Sequence, residues 1–303
     1  MKAIIPVAGY GTRMRPHTDD IQKALLPVGG KPALAHIVEP LLKAGISNIT
    51  FIIGHLGNQV IDFMGKYEGN FHFVEQKEML GLGHAVLQGL ENTDERLLIQ
   101  LGDNFFDTNI VDFISDHVNR IAVAQVKDPR RFGVVELENN RIIAFHEKPE
   151  IPPSNFAISG LYLFNSQRTL KNAIEHLVEQ NITTKNEYQL TDAFKIMLNN
   201  GAIFEPWECG WMDTGVPETM LLTNRQMLKN MPLNSETEQL TPPIYIGNNV
   251  HIIHSKIGPN VTVMDNVILE NCIIEDSIIL EGSHLVDKKL SHCIVGKDGS
   301  SIC

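Results

Sequence analysis

An α/β domain on a mostly parallel sheet, followed by a short parallel β-helix, is the fold class this 303-residue sequence predicts. Three observations carry that prediction. From the first residue to about residue 226, short apolar runs alternate with helical patterns, the rhythm of strands joined by covering helices. Beyond residue 243 the helical periodicity ends, and isoleucines and valines recur every five to six residues among Asn, Gly, Asp and Ser. The composition, 43% apolar and 20% charged, is that of an ordinary globular chain and excludes wholesale disorder.

The elements follow in order. Ala3–Val7, Ile49–Ile53, Phe71–Val74, Leu97–Leu101 and Ile121–Val126 are apolar runs short enough to be buried strands. Between them Pro32–Lys43, Asn58–Met64, Gly83–Gly89 and Ile110–Val118 fit helices, the first opened by a proline at a plausible first helical position. Phe132–Leu137 and Arg141–His146, joined by Glu138-Asn139-Asn140, predict a hairpin beside the sheet. Helices are expected again at Ser166–Glu179, Tyr188–Asn199 and Val216–Met231.

Residues 232–243 are polar and proline-punctuated, which predicts a linker between a domain over 1–231 and a tail over 244–303. In the tail, Ile246-Gly247, Ile252, Ile257-Gly258, Val263, Ile268, Ile273 and Ile278 keep the spacing of hexapeptide coils. At roughly three hexads per coil the tail holds about three coils, near the lower limit for a self-supporting stack. Its open end is expected to be buried against another subunit, making the protein a homo-oligomer.

The formal charge of −11 argues against nucleic acid or an anionic membrane as partner. Its distribution says more. Residues 1–32 carry Lys2, Arg13, Arg15, Lys23 and Lys31 against Asp19 and Asp20, a local +3, so the other 271 residues carry −14. A small polyanion is the partner such an island suits. No apolar window reaches the roughly 18 residues of a membrane span, and no secretory leader is expected. Cys209, Cys272, Cys293 and Cys303 are far apart without C-x-x-C spacing. They are expected as reduced thiols of a cytoplasmic protein, not as a disulfide framework or a zinc site.

The chemistry-bearing residues begin where the first strand ends. Ala8-Gly9-Tyr10-Gly11-Thr12-Arg13-Met14 places glycines where backbone N–H groups can approach phosphate oxygens closely. Dinucleotide and P-loop motifs both fail here, and G-x-G alone is a tight turn. Arg13 adds a planar five-donor fork, and Lys23 follows in Lys23-Ala24-Leu25-Leu26-Pro27. Asp103, after an apolar strand, sits where open α/β sheets bind ligands, although alone it would more often be a helix cap. Taken alone, Glu147-Lys148 is a surface ion pair worth little. No hydrolase motif occurs, and His84 and His146 have no catalytic partner at usable spacing.

Together these stretches resemble the sugar-1-phosphate nucleotidyltransferases, whose signature is G-x-G-T-R-[LM]-x-P followed by K-x-x-[LM]-P. Glu75-Gln76 through Gly81, Leu101-Gly102-Asp103-Asn104, Phe132-Gly133-Val134-Val135, Glu147-Lys148-Pro149, Ser154–Tyr162 and Trp211-Met212-Asp213-Thr214-Gly215 extend the resemblance over most of the chain. It implies a Rossmann-like nucleotidyltransferase domain and a left-handed turn sense for the tail. It also implies transfer of a nucleotidyl group from dTTP, or alternatively UTP, to glucose 1-phosphate with Mg²⁺. Nucleotide contacts would fall to Ala8, Gly9, Gly11, Thr12, Arg13, Lys23, Gln76, Gly81 and Asp103. Sugar-phosphate contacts would fall to Gly133, Glu147, Lys148 and Ile158. Asp103 and Asp213 would hold the metal, and Arg13, Lys23, Asp103, Lys148 and Asp213 would carry catalysis. Gln76 would read a pyrimidine edge, since an amide offers both donor and acceptor.

The base is less defined by resemblance than the reaction. The stretches at Asp103, Gly133 and Asp213 look like thymidylyltransferases with a β-helical tail, whereas Pro6–Met14 and Gly81–Ala85 look like uridylyltransferases. Asn186–Asp192 also fits the family, and no catalytic role is expected for it. Two further readings are a catalytically silent regulatory subunit and an acyltransferase tail using His251, His254, His284 and His292. About three coils leave little room for the latter.

Overall fold

The structure, a computed structural model, describes residues 1–229 and 239–303. The expected linker is therefore described only from residue 239 onward, and the end of the helix predicted to Met231 lies outside the described residues. By contacts the chain forms two compact units, Met1–Gly9 with Ile37–Trp211, and Tyr10–His36 with Met212–Cys303.

The first unit is built on a nine-stranded sheet. Lys2–Pro6 runs parallel to Asn48–Ile53 on one side and to Leu97–Gln100 on the other, and Asn70–Glu75 continues the parallel part. Phe156–Phe164 then enters antiparallel, pairing with Leu97–Gln100, Asn119–Gln125 and the hairpin strand Gly133–Glu138. The sheet is thus mixed, and the hairpin extends its edge rather than standing beside it. Asn139 and Asn140, at φ of 49° and 58°, make the two-residue turn, the left-handed pair that matches the twist of a hairpin. Two strands were not expected from periodicity: Phe156–Phe164, and Phe204–Glu208 on the outer side of Asn119–Gln125. The first is a continuous apolar run interrupted by Gly160, so it has no alternation to announce it.

Helices Leu82–Gly89, Gln167–Glu179 and Leu190–Asn199 cover one face. Gln167–Glu179 buries Leu170, Ala173, Ile174 and Leu177, one stripe at helical spacing. In Leu190–Asn199, Phe194 is fully buried and packs against Phe145, Tyr162, Phe164 and Phe204. Truncating such a ring costs about 3–5 kcal/mol, and its packing also fixes the first turn of its helix. The helix expected over Ile110–Val118 stops at Phe113. Its freed carbonyls are taken by arginines: Arg120 donates to Phe113 O at 2.7 Å and Arg96 to Ile114 O at 2.8 Å. No described helix is long and apolar enough to cross a membrane.

The second unit carries the β-helix. Parallel ladders join Ile244–Ile246, Val261–Val263, Ile278–Ile279 and Ile294–Val295, with two further three-strand ladders making the other faces. Ile244 pairs with Val261 and Thr262 with Ile278, so the coils advance 17 and then 16 residues rather than full triplets of hexads. Val261, Val263, Leu269, Ile274 and Leu285 fill the interior. At the corners His254, Asn271 and Asp287 share a left-handed backbone, as do Asn260, Asp276 and His292. Short polar side chains tolerate that conformation, which explains the Asn and Asp of the repeat. It also gives His254 and His292 a structural position.

One expectation about cysteine is corrected here. Cys293 and Cys303 form a disulfide with Cα atoms 4.1 Å apart. The last strands pair antiparallel, Ile294 with Ile302 and Val295 with Ser301, and that register sets the two cysteines opposite each other. Cys209 and Cys272 remain thiols.

Candidate active site

Within the first unit the residues expected to meet a sugar phosphate come together. A Cβ on Gly133 would stand 3.0 Å from Thr191 Oγ1, 3.1 Å from Ile158 Cδ1 and 3.2 Å from Glu147 Oε2. Any side chain at this position would therefore crowd the Glu147 carboxylate and its Thr191 partner. Glu147, at the end of its hairpin strand, has a side chain only 7% exposed. Its Oε2 accepts from Thr191 Oγ1 at 2.7 Å, and its Oε1 lies 3.2 Å from the Lys148 ammonium. Lys148 leaves the strand with a left-handed backbone, φ 43°, while its N–H donates to Phe132 O at 3.1 Å. A non-glycine residue in that region is strained, and such strain gathers at functional sites.

Asp103 follows the strand Leu97–Gln100. Beside it Asn104 is buried, and its side-chain oxygen accepts from Trp211 Nε1 at 3.1 Å. The buried Tyr162 hydroxyl is held well above its usual pKa, first by burial and then by the charges of Glu147 and Asp103. One ring thus feels both carboxylates.

The expected base reader is buried and tethered. Gln76 donates through Nε2 to Gly81 O and to His84 Nδ1, each at 3.3 Å. Gly81 has φ 103°, and a Cβ there would meet Glu187 Cβ at 2.7 Å and Tyr188 O at 2.9 Å. Tyr188 clasps this turn through its backbone, accepting from Gly83 N and donating to Leu80 O, both at 2.8 Å. The segment Glu187–Thr191 therefore supports the turn around Gly81 and, three residues on from Tyr188, the Glu147 carboxylate. No catalytic role was expected for it, and contacts 44 residues or more apart have no local signature.

In the second unit the basic segment is held by its backbone. Gly11 is left-handed, and a Cβ there would meet Thr18 Cγ2 at 2.9 Å. Thr18 Oγ1 donates to Gly11 O at 2.8 Å, and Met14 N donates to the same oxygen. Gln22 caps the turn that carries Lys23, accepting from Ala24 N at 2.6 Å. Thr12 and Arg13 are exposed, Lys23 is half-buried, and Arg15 pairs with Asp19 at 3.0 Å. Asn224, on the helix Pro217–Lys229, accepts from Gly29 N at 2.8 Å and from Thr262 Oγ1 at 2.7 Å. That joins the segment to the β-helix within one unit. Ala8 and Gly9 stay with the first unit, where Ala8 is buried against Gly54.

Asp213 is oriented by its own turn: Oδ1 accepts from Gly215 N at 2.8 Å and Thr219 Oγ1 at 2.7 Å. Among the described residues no group of three or more His, Cys, Asp or Glu side chains assembles a metal cage. An aspartate held in such a turn can contribute one ligand to Mg²⁺, which seldom takes all its ligands from protein.

Residues 2–230 match the nucleotidyl transferase family. The chain is 35% identical over 230 residues to the bifunctional protein GlmU of Methanocaldococcus jannaschii, covering 75% of this chain and 54% of that protein, so it spans about half of that relative. It is 31% identical to a glucose-1-phosphate thymidylyltransferase of Streptomyces antibioticus, covering 86% and 77%. A solved UDP-glucose pyrophosphorylase in complex with UDP-glucose superposes with a TM-score of 0.66 at 26% identity, covering 76% of this chain and 99% of that one.

Proposed function

Since the chain belongs to the nucleotidyl transferase family, we propose that it transfers a nucleotidyl group from dTTP to glucose 1-phosphate, releasing pyrophosphate. The observation that carries this reading is the cluster of Gly133, Glu147, Lys148 and Ile158. A carboxylate that only accepts suits sugar hydroxyls, and the ammonium beside it suits the sugar's phosphate.

The sugar phosphate is itself the nucleophile, because a phosphate monoester with a second pKa of about 6 is largely dianionic at neutral pH. No general base is needed. The protein's work is to hold two anions in line and to offset their repulsion. Lys148 binds the attacking phosphate, while Arg13 and Lys23 bind the triphosphate and stabilise charge moving onto pyrophosphate. Asp103 and Asp213 would hold Mg²⁺, which would supply further charge neutralisation when bound. Gly9, Gly11 and Thr12 offer backbone donors to the phosphates, and Gln76 with Gly81 faces the base.

UTP is the second reading, favoured by the Gly81–Ala85 stretch and by the UDP-glucose-bound structure to which this fold is similar. Thymine differs from uracil by one methyl, worth about 1–3 kcal/mol in a fitted pocket. The β-helix is the assembly element of a homo-oligomer in this reading, with Ile253, Ile273 and Val286 exposed on it.

Pyrophosphate release from dTTP, UTP, CTP, ATP and GTP, each with glucose 1-phosphate and magnesium, tests the reading. Turnover fastest with dTTP supports it, and a UTP preference moves the assignment to the second reading. Silence with all five, while nucleotide sugar still binds, contradicts both and favours either another sugar phosphate or a regulatory subunit.

A further inference from the structure

We propose that His84 is the positioning residue that sets the orientation of the Gln76 amide, and through it the choice of uracil or thymine over cytosine. The inference rests on the nucleotidyltransferase reading and names the residue that tunes its base site. Gln76 is 5% exposed, and an amide can present either its oxygen or its NH₂ to a ligand. What decides between them is how the other end is held.

Both hydrogens of Gln76 Nε2 have acceptors. One is Gly81 O and the other His84 Nδ1, each 3.3 Å away. The carbonyl can only accept, so it requires the nitrogen on its side. An amide nitrogen can only donate, so Nδ1 must be the bare nitrogen of a neutral imidazole, with the hydrogen on Nε2. On the far side of the ring the nitrogen of the exposed Gln88 amide stands 3.3 Å from Nε2. Two donors cannot share that position, and Gln88 Nε2 donates instead to the backbone oxygen of His84, also 3.3 Å away.

Gln76 Oε1 is the atom left over. It accepts no hydrogen bond from any described residue, and Gly81 N–H, at the turn into Leu82–Gly89, donates to none. The turn thus offers one open acceptor, Gln76 Oε1, and one open donor, the Gly81 N–H, to a ligand. Uracil and thymine present N3–H beside O4, the complementary order, whereas cytosine presents a bare N3 beside an amino group, the reverse order. A site built to pair with one order leaves polar groups unpaired against the other. If the imidazole were replaced by an apolar group, Gly81 O alone would hold the amide, and the preference would weaken.

The test uses the full chain as wild type, His84→Leu and His84→Gln. Dissociation constants for UTP, dTTP and CTP are measured by calorimetry, beside kcat/KM for each with glucose 1-phosphate. The expected result is that His84→Leu lowers the preference for UTP over CTP, in affinity and in kcat/KM, about tenfold, the scale of one buried hydrogen bond. His84→Gln, which returns an amide oxygen as acceptor, restores most of it. Equal weakening toward all three nucleotides, or an unchanged ratio in His84→Leu, overturns the proposal and leaves His84 as packing for the turn. A wild type that binds UTP in preference to CTP but turns over nothing contradicts the proposed function while leaving the binding ratios to decide His84. A wild type that binds neither UTP nor dTTP overturns both.

Discussion

The proposed sugar side and the basic segment hold their side chains in opposite ways. At the sugar side Glu147 is nearly buried, with one oxygen bonded to Thr191 and the other near Lys148. In the basic segment Arg13 is exposed, and what is fixed is the backbone, through Gly11, Thr18 and Gln22. The difference follows from the forces used. A hydrogen bond to a hydroxyl weakens steeply with angle, so the acceptor must be aimed beforehand. A cation acting on a triphosphate works through Coulomb attraction, which falls slowly with distance and tolerates a moving side chain. In the proposed reaction the group that would select the sugar is therefore held rigidly, and the group that would compensate charge is accessible.

Three substitutions sharpen that contrast, the largest effect first. Lys148→Ala should lower kcat/KM for glucose 1-phosphate roughly 10²-fold, because a charge-assisted contact is lost. Steady-state kinetics at saturating dTTP check this. Gly133→Ala should cost about tenfold in the same constant, since the new methyl meets Thr191, Ile158 and Glu147 within 3.2 Å. Its KM for dTTP should stay near wild type, and a comparable change in both constants would mean that the turn as a whole had moved. Thr191→Val removes one bond to Glu147, so KM for the sugar phosphate should rise about fivefold, in line with a net hydrogen bond of about 1 kcal/mol.

The basic segment responds to pH rather than to aim. His17 is buried, its Nε2 lies 3.0 Å from Ile294 O, and burial holds its pKa below 6.5. The unfolded chain then binds the proton more readily, so this contribution to stability is complete above pH 6.5 and declines as pH falls below it. Thermal melts between pH 7.5 and 5.5 should show a smaller loss in His17→Gln than in wild type; identical losses would remove His17 from the account.

Much of this was legible along the chain, and what was hidden has physical causes. Gly11, Arg13, Lys23, Glu147 and Lys148 are found in contiguous motifs, and the strand–helix rhythm located the parallel strands. Three features required the third dimension. Phe156–Phe164, buried along its length, shows no alternation. Tyr188 and Thr191 act by tertiary contact on Gly83 and Glu147, far away in the chain. Cys293 and Cys303 are ten residues apart, and only the register of the final hairpin sets them face to face.

The most direct test of the account is a pair of Michaelis constants for Glu147→Gln. The amide keeps the shape of the carboxylate but loses its charge and half of its accepting capacity. The account predicts that KM for glucose 1-phosphate rises about tenfold or more while KM for dTTP stays within about twofold. Equal rises in both constants, or no rise in either, would contradict the claim that this carboxylate is aimed in advance at the sugar.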